Sequence, residues 1–297
     1  MDWHLKALIA EIFDKAPLGN LMYYISQRYI TKSIPRNLYP VADSSAVFLE
    51  HIKAFSKYYD CALDKALYFE FGAGWDLYSN IIMYCCGIEH QLVVDIKPLA
   101  KPFLVNSVIA KLMKEQLPEF IRKPQKILSS KSFYKDLKQF YGINYQGNSD
   151  ARNLDMSDGS IDLIATSATL EHIPMSTLKP ILKECYRLCN KYSVVSMFID
   201  YADHYSYADK NINAYNFLRF SEQTWTKFSP GIHYQNRLRH SEYKKLFLET
   251  GFQIVSESYE IPERGLEQVS NLKLDSHFQY YSIEYLAKTS GHFVLKK

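Results

Sequence analysis

From Ala66 onward, short β-rich runs alternate with helical stretches, and this alternation limits the available folds more than any other feature of the chain. "ALYFEF" (66–71) and "QLVVDI" (91–96) are the first two runs, the second closed by Lys97-Pro98. "INYQG" (143–147), "SIDLIATSA" (160–168) and "YSVVSMFID" (192–200) supply three more. The fourth is apolar enough for burial on both faces, as in a parallel sheet covered by helices. Helical segments fall at about 77–86, through much of 99–141, and after Pro174, where Leu178, Ile181, Leu182 and Leu188 recur at helical spacing. "SEYKKLFLETGF" reads as a helix ended by Gly251, and "QIVSESYEI" and "GHFVLKK" as two last strands. Such alternation predicts an α/β fold: a mostly parallel sheet with right-handed crossovers and helices on both faces.

Residues 1–60 read differently. They are helical, interrupted at Pro17-Leu18-Gly19 and around Pro35 and Pro40. The expected organisation is a helical N-terminal extension (1–60) and one domain (61–297) carrying insertions at about 99–141 and 204–240. The first insertion breaks near Pro118 and Pro124; the second is irregular, aromatic and basic. In "WHLKALIAEIF" the apolar residues Trp3, Leu5, Leu8, Ile9, Ile12 and Phe13 keep helical spacing. A helix packed on the core or on a second subunit is preferred over a membrane-surface helix, because the basic charge that anionic lipid would require is sparse. A homodimer through these helices is one expectation.

The net charge of +3 provides no broad pull toward nucleic acid or acidic lipid. No apolar segment approaches the roughly 20 residues of a membrane span. The five cysteines are odd in number and lack a Cys-x-x-Cys pair, which predicts reduced thiols and a cytoplasmic protein. Cys185 and Cys189 sit four apart, but no histidine pair accompanies them, so no metal is assigned there.

In open α/β sheets ligands bind at the carboxyl ends of the strands. Four such ends carry polar chemistry here. "LYFEFGAGWDLYSN" (67–80) ends an apolar run in Glu70 and continues with Gly72 and Gly74, where backbone can approach a ligand closely. Asp76 stands where a nucleotide-binding turn would carry its third glycine. Asp95 follows Glu70 by 25 residues, the distance at which an acid bonds ribose hydroxyls. "SDARNL" brings Asp150 after the third strand, and "TSATLEHIP" follows the fourth.

Taken together, "FEFGAGWD", "VVDI" and "SDARNLDMSDGSIDLIATSATLEHIP" resemble the glycine loop, ribose motif, adenine turn and fourth strand of the class I S-adenosylmethionine-dependent methyltransferases. The resemblance spans about residues 66–200 by motif. It implies a Rossmann-like, mostly parallel, seven-stranded sheet and S-adenosyl-L-methionine as cofactor. Glu70 would help place the methionine portion, and Gly72, Ala73 and Gly74 would line the cofactor. Asp95 would take the ribose hydroxyls, Ile96 would pack on the adenine, Asp150 and the Ala151 amide would meet its edge, and Ser167 would lie near the sulfonium. Asp76 departs from the pattern. Its charge suits a cationic cofactor and repels a diphosphate, and it can also cap the following helix. A nicotinamide-dependent oxidoreductase is disfavoured for that reason. A cofactor-binding partner module without catalysis is disfavoured by the intact acids.

The acceptor side follows strands four and five. "EHIP" offers Glu171 and His172, for which a structural or cofactor-side role is preferred over catalysis. "FIDYADHYSY" offers Asp200, Asp203 and His204 among tyrosines. His204, oriented by Asp203, is the expected general base, with His172 a second catalytic candidate. A metal on Asp200, Asp203 and His204 is not assigned, because three ligands within five residues rarely converge. Asp200, Tyr205, His233, Asn236 and Arg237 are the acceptor-binding candidates, the last three from "HYQNRLRHSEY", whose planar hydrogen-bonding groups suit a polyol or carboxylate. This block and "YNFLRFSEQTW" are weakly similar to methyltransferases of bacterial polysaccharide and secondary-metabolite pathways. The expected reaction is O-methylation of a sugar or small hydroxylated metabolite. Nucleic acid is not expected, since strand four lacks the Asn- or Asp-Pro-Pro-aromatic turn and there is no basic stripe.

Overall fold

The computed structural model describes residues 1–36, 41–117 and 121–297, with 41–45 described as backbone only. The breaks expected at Pro40 and Pro118 lie outside the described residues. Seven strands form one sheet: β1 (Leu67–Phe71), β2 (His90–Asp95), β3 (Ile143–Gly147), β4 (Ile161–Ser167), β5 (Cys189–Asp200), β6 (Gln253–Glu260) and β7 (Ser290–Lys296). Their order is β3-β2-β1-β4-β5-β7-β6. The first five run parallel, and β7 runs antiparallel to both β5 and β6. This is the mostly parallel sheet expected from the strand pattern, and the Rossmann-like, seven-stranded arrangement that the resemblance implies. The direction of strand succession reverses between β1 and β4, which is where ligands of such sheets sit.

Strand alternation sends side chains to two cores. Tyr68 and Val194 join one face with Phe55, Ile81 and Ile109. Phe69, Phe71, Val195 and Met197 join the other with Leu178, Leu182 and Phe247. Helices α1 (Trp3–Lys15), α2 (Gly19–Ile25), α3 (Val41–Tyr58), α4 (Tyr78–Cys85), α5 (Pro102–Lys114), α6 (Phe133–Tyr141) and α7 (Met175–Leu188) occur in that order before β5. α3 through α5 pack on the first face, and α7 packs on the second with α9 (His240–Thr250), which is preceded by the short α8 (Glu222–Trp225). No helix among the described residues is long and apolar enough to cross a membrane.

The N-terminal segment is worked into this body. α3 buries Phe48, Ala54 and Phe55 against the sheet. α1 buries Trp3 and Ala7 in a third core with Tyr205, Phe217 and Trp225, so it pins the 204–240 insertion. Asp2 caps α1 by accepting from the His4 and Leu5 amides, and Trp3 N–H donates to Asp209. Leu5, Leu8, Ile12, Leu21, Met22 and Ile25 remain exposed on this segment.

Candidate functional site

The turn after β1 is shaped by its glycines. Gly72 has φ +75°, and a Cβ there would stand 2.6 Å from Thr169 Cγ2, in the loop after β4. Its N–H donates to Val94 O at 2.9 Å, tying the turn to β2. Glu70, just before, is buried. It accepts from Tyr68 Oη at 2.8 Å, from Ser79 Oγ at 2.8 and 2.9 Å, and from Asn80 Nδ2 at 2.8 Å. Burial pushes its pKa up to about 7 against the pull of these donors. Asp76 accepts from the Tyr78 N–H at 3.2 Å, but the cap position of α4 is taken by Leu77, so Asp76 stands one residue before the expected place; it pairs with Arg36 at 2.6 Å. The negative charge expected beside a cationic cofactor is therefore already neutralised by Arg36.

Asp95 ends β2 and is 3% exposed. Tyr145 Oη donates to it at 2.8 Å, and the amides of Ala73 and Gly74 face it as well. Burial raises its pKa to about 6, with these donors opposing. It borders a cleft of about 410 Å³ at the strand ends, lined also by Gly72, Ile96, Asp150, Ala151 and His172. Ile96 is 66% exposed, an apolar face left open beside a buried acid. Asp150 is forked by Arg152 at 2.6–2.9 Å. Glu70, Ala73, Gly74 and Ser167 do not line this cleft. An open apolar side chain, a buried acid and a glycine with no room for a Cβ fit an adenosine group.

Ser167 Oγ instead begins a hydrogen-bonded row that sequence reasoning missed. His51 Nε2 lies 2.8 Å from it; His51 Nδ1 is 2.7 Å from Ser196 Oγ, which is 2.7 Å from His292 Nε2. Burial, with His292 adding, pushes the His51 pKa down to about 3, so the ring is neutral. The sole sequence signal was a histidine among the apolar positions of α3.

The acceptor-side candidates separate into two groups. His204 Nε2 is 3.2 Å from Asp200 Oδ2, and its ring centroid is 4.9 Å from that of His172. Tyr207 Oη also bonds Asp200. Asp203, the expected partner of His204, is occupied elsewhere: it accepts from the Tyr205 N–H at 2.8 Å and from Asn216 Nδ2 at 3.1 Å. Asp200 takes that place because Asp203 caps the 3-10 turn His204–Tyr207. Tyr205 donates to Phe228 O and packs in the third core. His233 is packed beside Tyr205, ring centroids 4.9 Å apart, and burial lowers its pKa to about 3. Asn236 staples the loop after β4 by donating to Leu170 O and Ile173 O. Arg237 is buried and bonds Phe217 O and Glu222. Neither the Asn236 amide nor the Arg237 guanidinium is spent on an open cleft.

Glu171, for which the sequence favours a structural or cofactor-side role, stands out here. It is 1% exposed, and neither carboxylate oxygen has a hydrogen bond of good geometry, although the amides of Glu171 and Asp200 face it. Burial holds its pKa well above the usual range. Donor atoms of Glu171, His172 and His204 lie within 4.8 Å of one another.

The chain matches no protein-family model and no curated protein. Among solved structures it is similar to a protein of Pyrococcus horikoshii OT3, at 12% identity over 91% of this chain and 97% of that one, TM-score 0.49. It is also similar to Burkholderia thailandensis 1,6-didemethyltoxoflavin-N1-methyltransferase with bound S-adenosylhomocysteine, at 10% identity over 100% and 91%, TM-score 0.48. A third is a SAM-dependent methyltransferase from Archaeoglobus fulgidus, at 16% identity over 85% and 93%, TM-score 0.45.

Proposed function

We propose that the chain is an S-adenosylmethionine-dependent methyltransferase acting on a hydroxyl of a small acceptor, a sugar or metabolite. The observation that carries this reading is Asp95: a buried acid at the end of β2, beside the glycine turn and the open Ile96, one strand away from the switch point between β1 and β4. In this reading Asp95 holds the ribose hydroxyls, Ile96 covers the adenine, and Asp150 with the Ala151 amide meets its edge. Bound S-adenosylmethionine supplies an activated methyl group, so the protein's task is mainly alignment. His172 lines the cofactor cleft and touches His204, so the acceptor's hydroxyl is held and its proton received at the His172, His204 and Asp200 group. The exposed apolar residues of α1 and α2 support a homodimer through these helices as part of the same proposal.

The test is binding. S-adenosylhomocysteine should raise the melting temperature, and NAD should not. Asp95→Ala removes two charge-assisted hydrogen bonds worth roughly 1.5–3 kcal/mol each. Calorimetry should show at least a roughly tenfold loss of S-adenosylhomocysteine affinity, one decade per 1.4 kcal/mol. An unchanged dissociation constant in a folded variant removes Asp95 from the site, and a shift with NAD alone overturns the cofactor.

A further inference from the structure

A buried carboxylate without a hydrogen bond is costly, and buried charges are normally paired or bound to metal. Glu171 has two such oxygens, and His204 Nε2 is a third buried atom without a hydrogen bond. Asp200 Oδ2 is 3.2 Å from that nitrogen but makes no aligned bond with it.

His172 completes the group with a set tautomer. Its Nδ1 is 2.8 Å from Tyr234 O. A carbonyl only accepts, so Nδ1 carries the proton and Nε2 keeps a lone pair. Metal-binding histidines are oriented in this way, by a carbonyl or carboxylate on the other ring nitrogen. The loop carrying Tyr234 is itself fastened here, since the Asn236 N–H donates to Glu171 O at 2.7 Å. Two neighbours in sequence, Glu171 and His172, are thereby held toward a third residue from the end of β5.

We propose that Glu171, His172 and His204 bind one divalent first-row transition cation at the ends of β4 and β5. Two donors at about 2.1 Å from one ion stand at most about 4.2 Å apart. The observed spread of 4.8 Å closes to that by small side-chain rotations. Two imidazoles and one carboxylate suit zinc, cobalt, iron or nickel better than magnesium or calcium, which favour all-oxygen sites. The ligand set differs from the Asp200, Asp203 and His204 set considered from sequence, because Asp203 is used as a cap. The site stands on geometry alone. Its consequence for catalysis, a lowered pKa for a hydroxyl bound there, rests on the methyltransferase reading; with both Nε2 lone pairs on the ion, Asp200 would be the member of the group left to receive the proton.

The probe is Co²⁺, added to the tag-free full chain after chelator treatment and followed by calorimetry and visible absorption. One site per chain is expected. Glu171→Gln and His204→Ala should each weaken it at least about tenfold, the loss that even a ligand's outer partners produce. His90→Ala, an exposed histidine at the opposite end of the strands, should bind as the wild type does. Circular dichroism shows that each variant is folded. Absence of saturable Co²⁺ binding in the wild type, or unchanged affinity in both folded variants, overturns the site. Co²⁺ binding without S-adenosylhomocysteine binding would keep the metal site and remove the methyltransferase reading; the converse result would do the opposite.

Discussion

Glu70 and Glu171 are both buried acids beside the carboxyl ends of neighbouring strands, β1 and β4, yet one is fully partnered and the other has no hydrogen bond of good geometry. The difference separates the proposed cofactor side from the proposed acceptor side. On the cofactor side, Glu70, Asp95 and Asp76 are each held by donors of the protein itself. That half is complete before any ligand arrives, which is what preorganisation requires. On the proposed acceptor side, both carboxylate oxygens of Glu171 and Nε2 of His204 lack a hydrogen bond. A satisfied network rigidifies a site, whereas an unsatisfied one marks where a ligand must contribute.

The largest expected effect sharpens this contrast through pH. Glu70 has a folded pKa of about 7, raised by burial above its ordinary 4.5, with nearby Asp95 adding to the rise. The folded state therefore binds a proton that the unfolded chain has released over this range. Stability on its account is full below about pH 4.5 and is lost as pH rises through about 7. At 1.36 kcal/mol per unit the swing is about 3 kcal/mol. His51 acts in the opposite sense, because its pKa of about 3 costs stability as pH falls below 6.5. The difference between variant and wild type isolates Glu70. Glu70→Gln keeps an acceptor for Tyr68 and Asn80 and should remove the alkaline loss, so that urea unfolding shows it gaining on the wild type from pH 5 to pH 8. Parallel curves would mean that Glu70 is not perturbed.

The next effect tests the seam between the halves. Gly72 and Gly74 both have positive φ, +75° and +77°, but only a Cβ at Gly72 meets a neighbour, Thr169. Strained backbone of this kind costs roughly 1–3 kcal/mol. Gly74→Ala should fall near the low end, about 1 kcal/mol, and Gly72→Ala about 1 kcal/mol beyond it. Equal losses in chemical denaturation would show that the loop after β4 yields freely, and that the two halves are not mechanically joined here.

The same contrast explains what sequence could disclose. The donors to Glu70 are Tyr68, Ser79 and Asn80, all within ten residues of it. The strand runs, their order of chemistry and the acids at their ends are likewise local patterns, so the sheet and the cofactor candidates were legible. Glu171 meets His204 from another strand end, and its neighbour His172 meets Tyr234 from a loop beyond it. Periodicity carries no record of such meetings. Asp203 shows the limit well: adjacency to His204 made it the natural partner, but a local backbone cap claimed its carboxylate, and Asp200 took the place. Arg237 and Asn236 were read as ligand groups because planar polar residues suit ligands, and folding spent them on backbone carbonyls. His51 came from outside the recognised pattern altogether, carried onto the sheet by the apolar face of α3.

The smallest effect concerns the acid on the proposed cofactor side that is exposed together with its partner. Asp150 is forked by Arg152, with side chains 37% and 48% exposed. An exposed pair of this kind is worth about 0–1 kcal/mol, so breaking it should leave stability nearly unchanged. Its effect on binding is more telling. Asp150 lines the cleft, and in the proposed pose it accepts from the adenine amino group. Arg152 competes for the same oxygens. Arg152→Ala should therefore tighten S-adenosylhomocysteine by no more than about fivefold, the equivalent of 1 kcal/mol. Asp150→Ala should weaken it, and in the double variant the gain from removing Arg152 should vanish, since the competition no longer exists. If Arg152→Ala weakens binding instead, the guanidinium itself covers the adenine, and the cofactor half is closed by a charge that the acid merely holds in place.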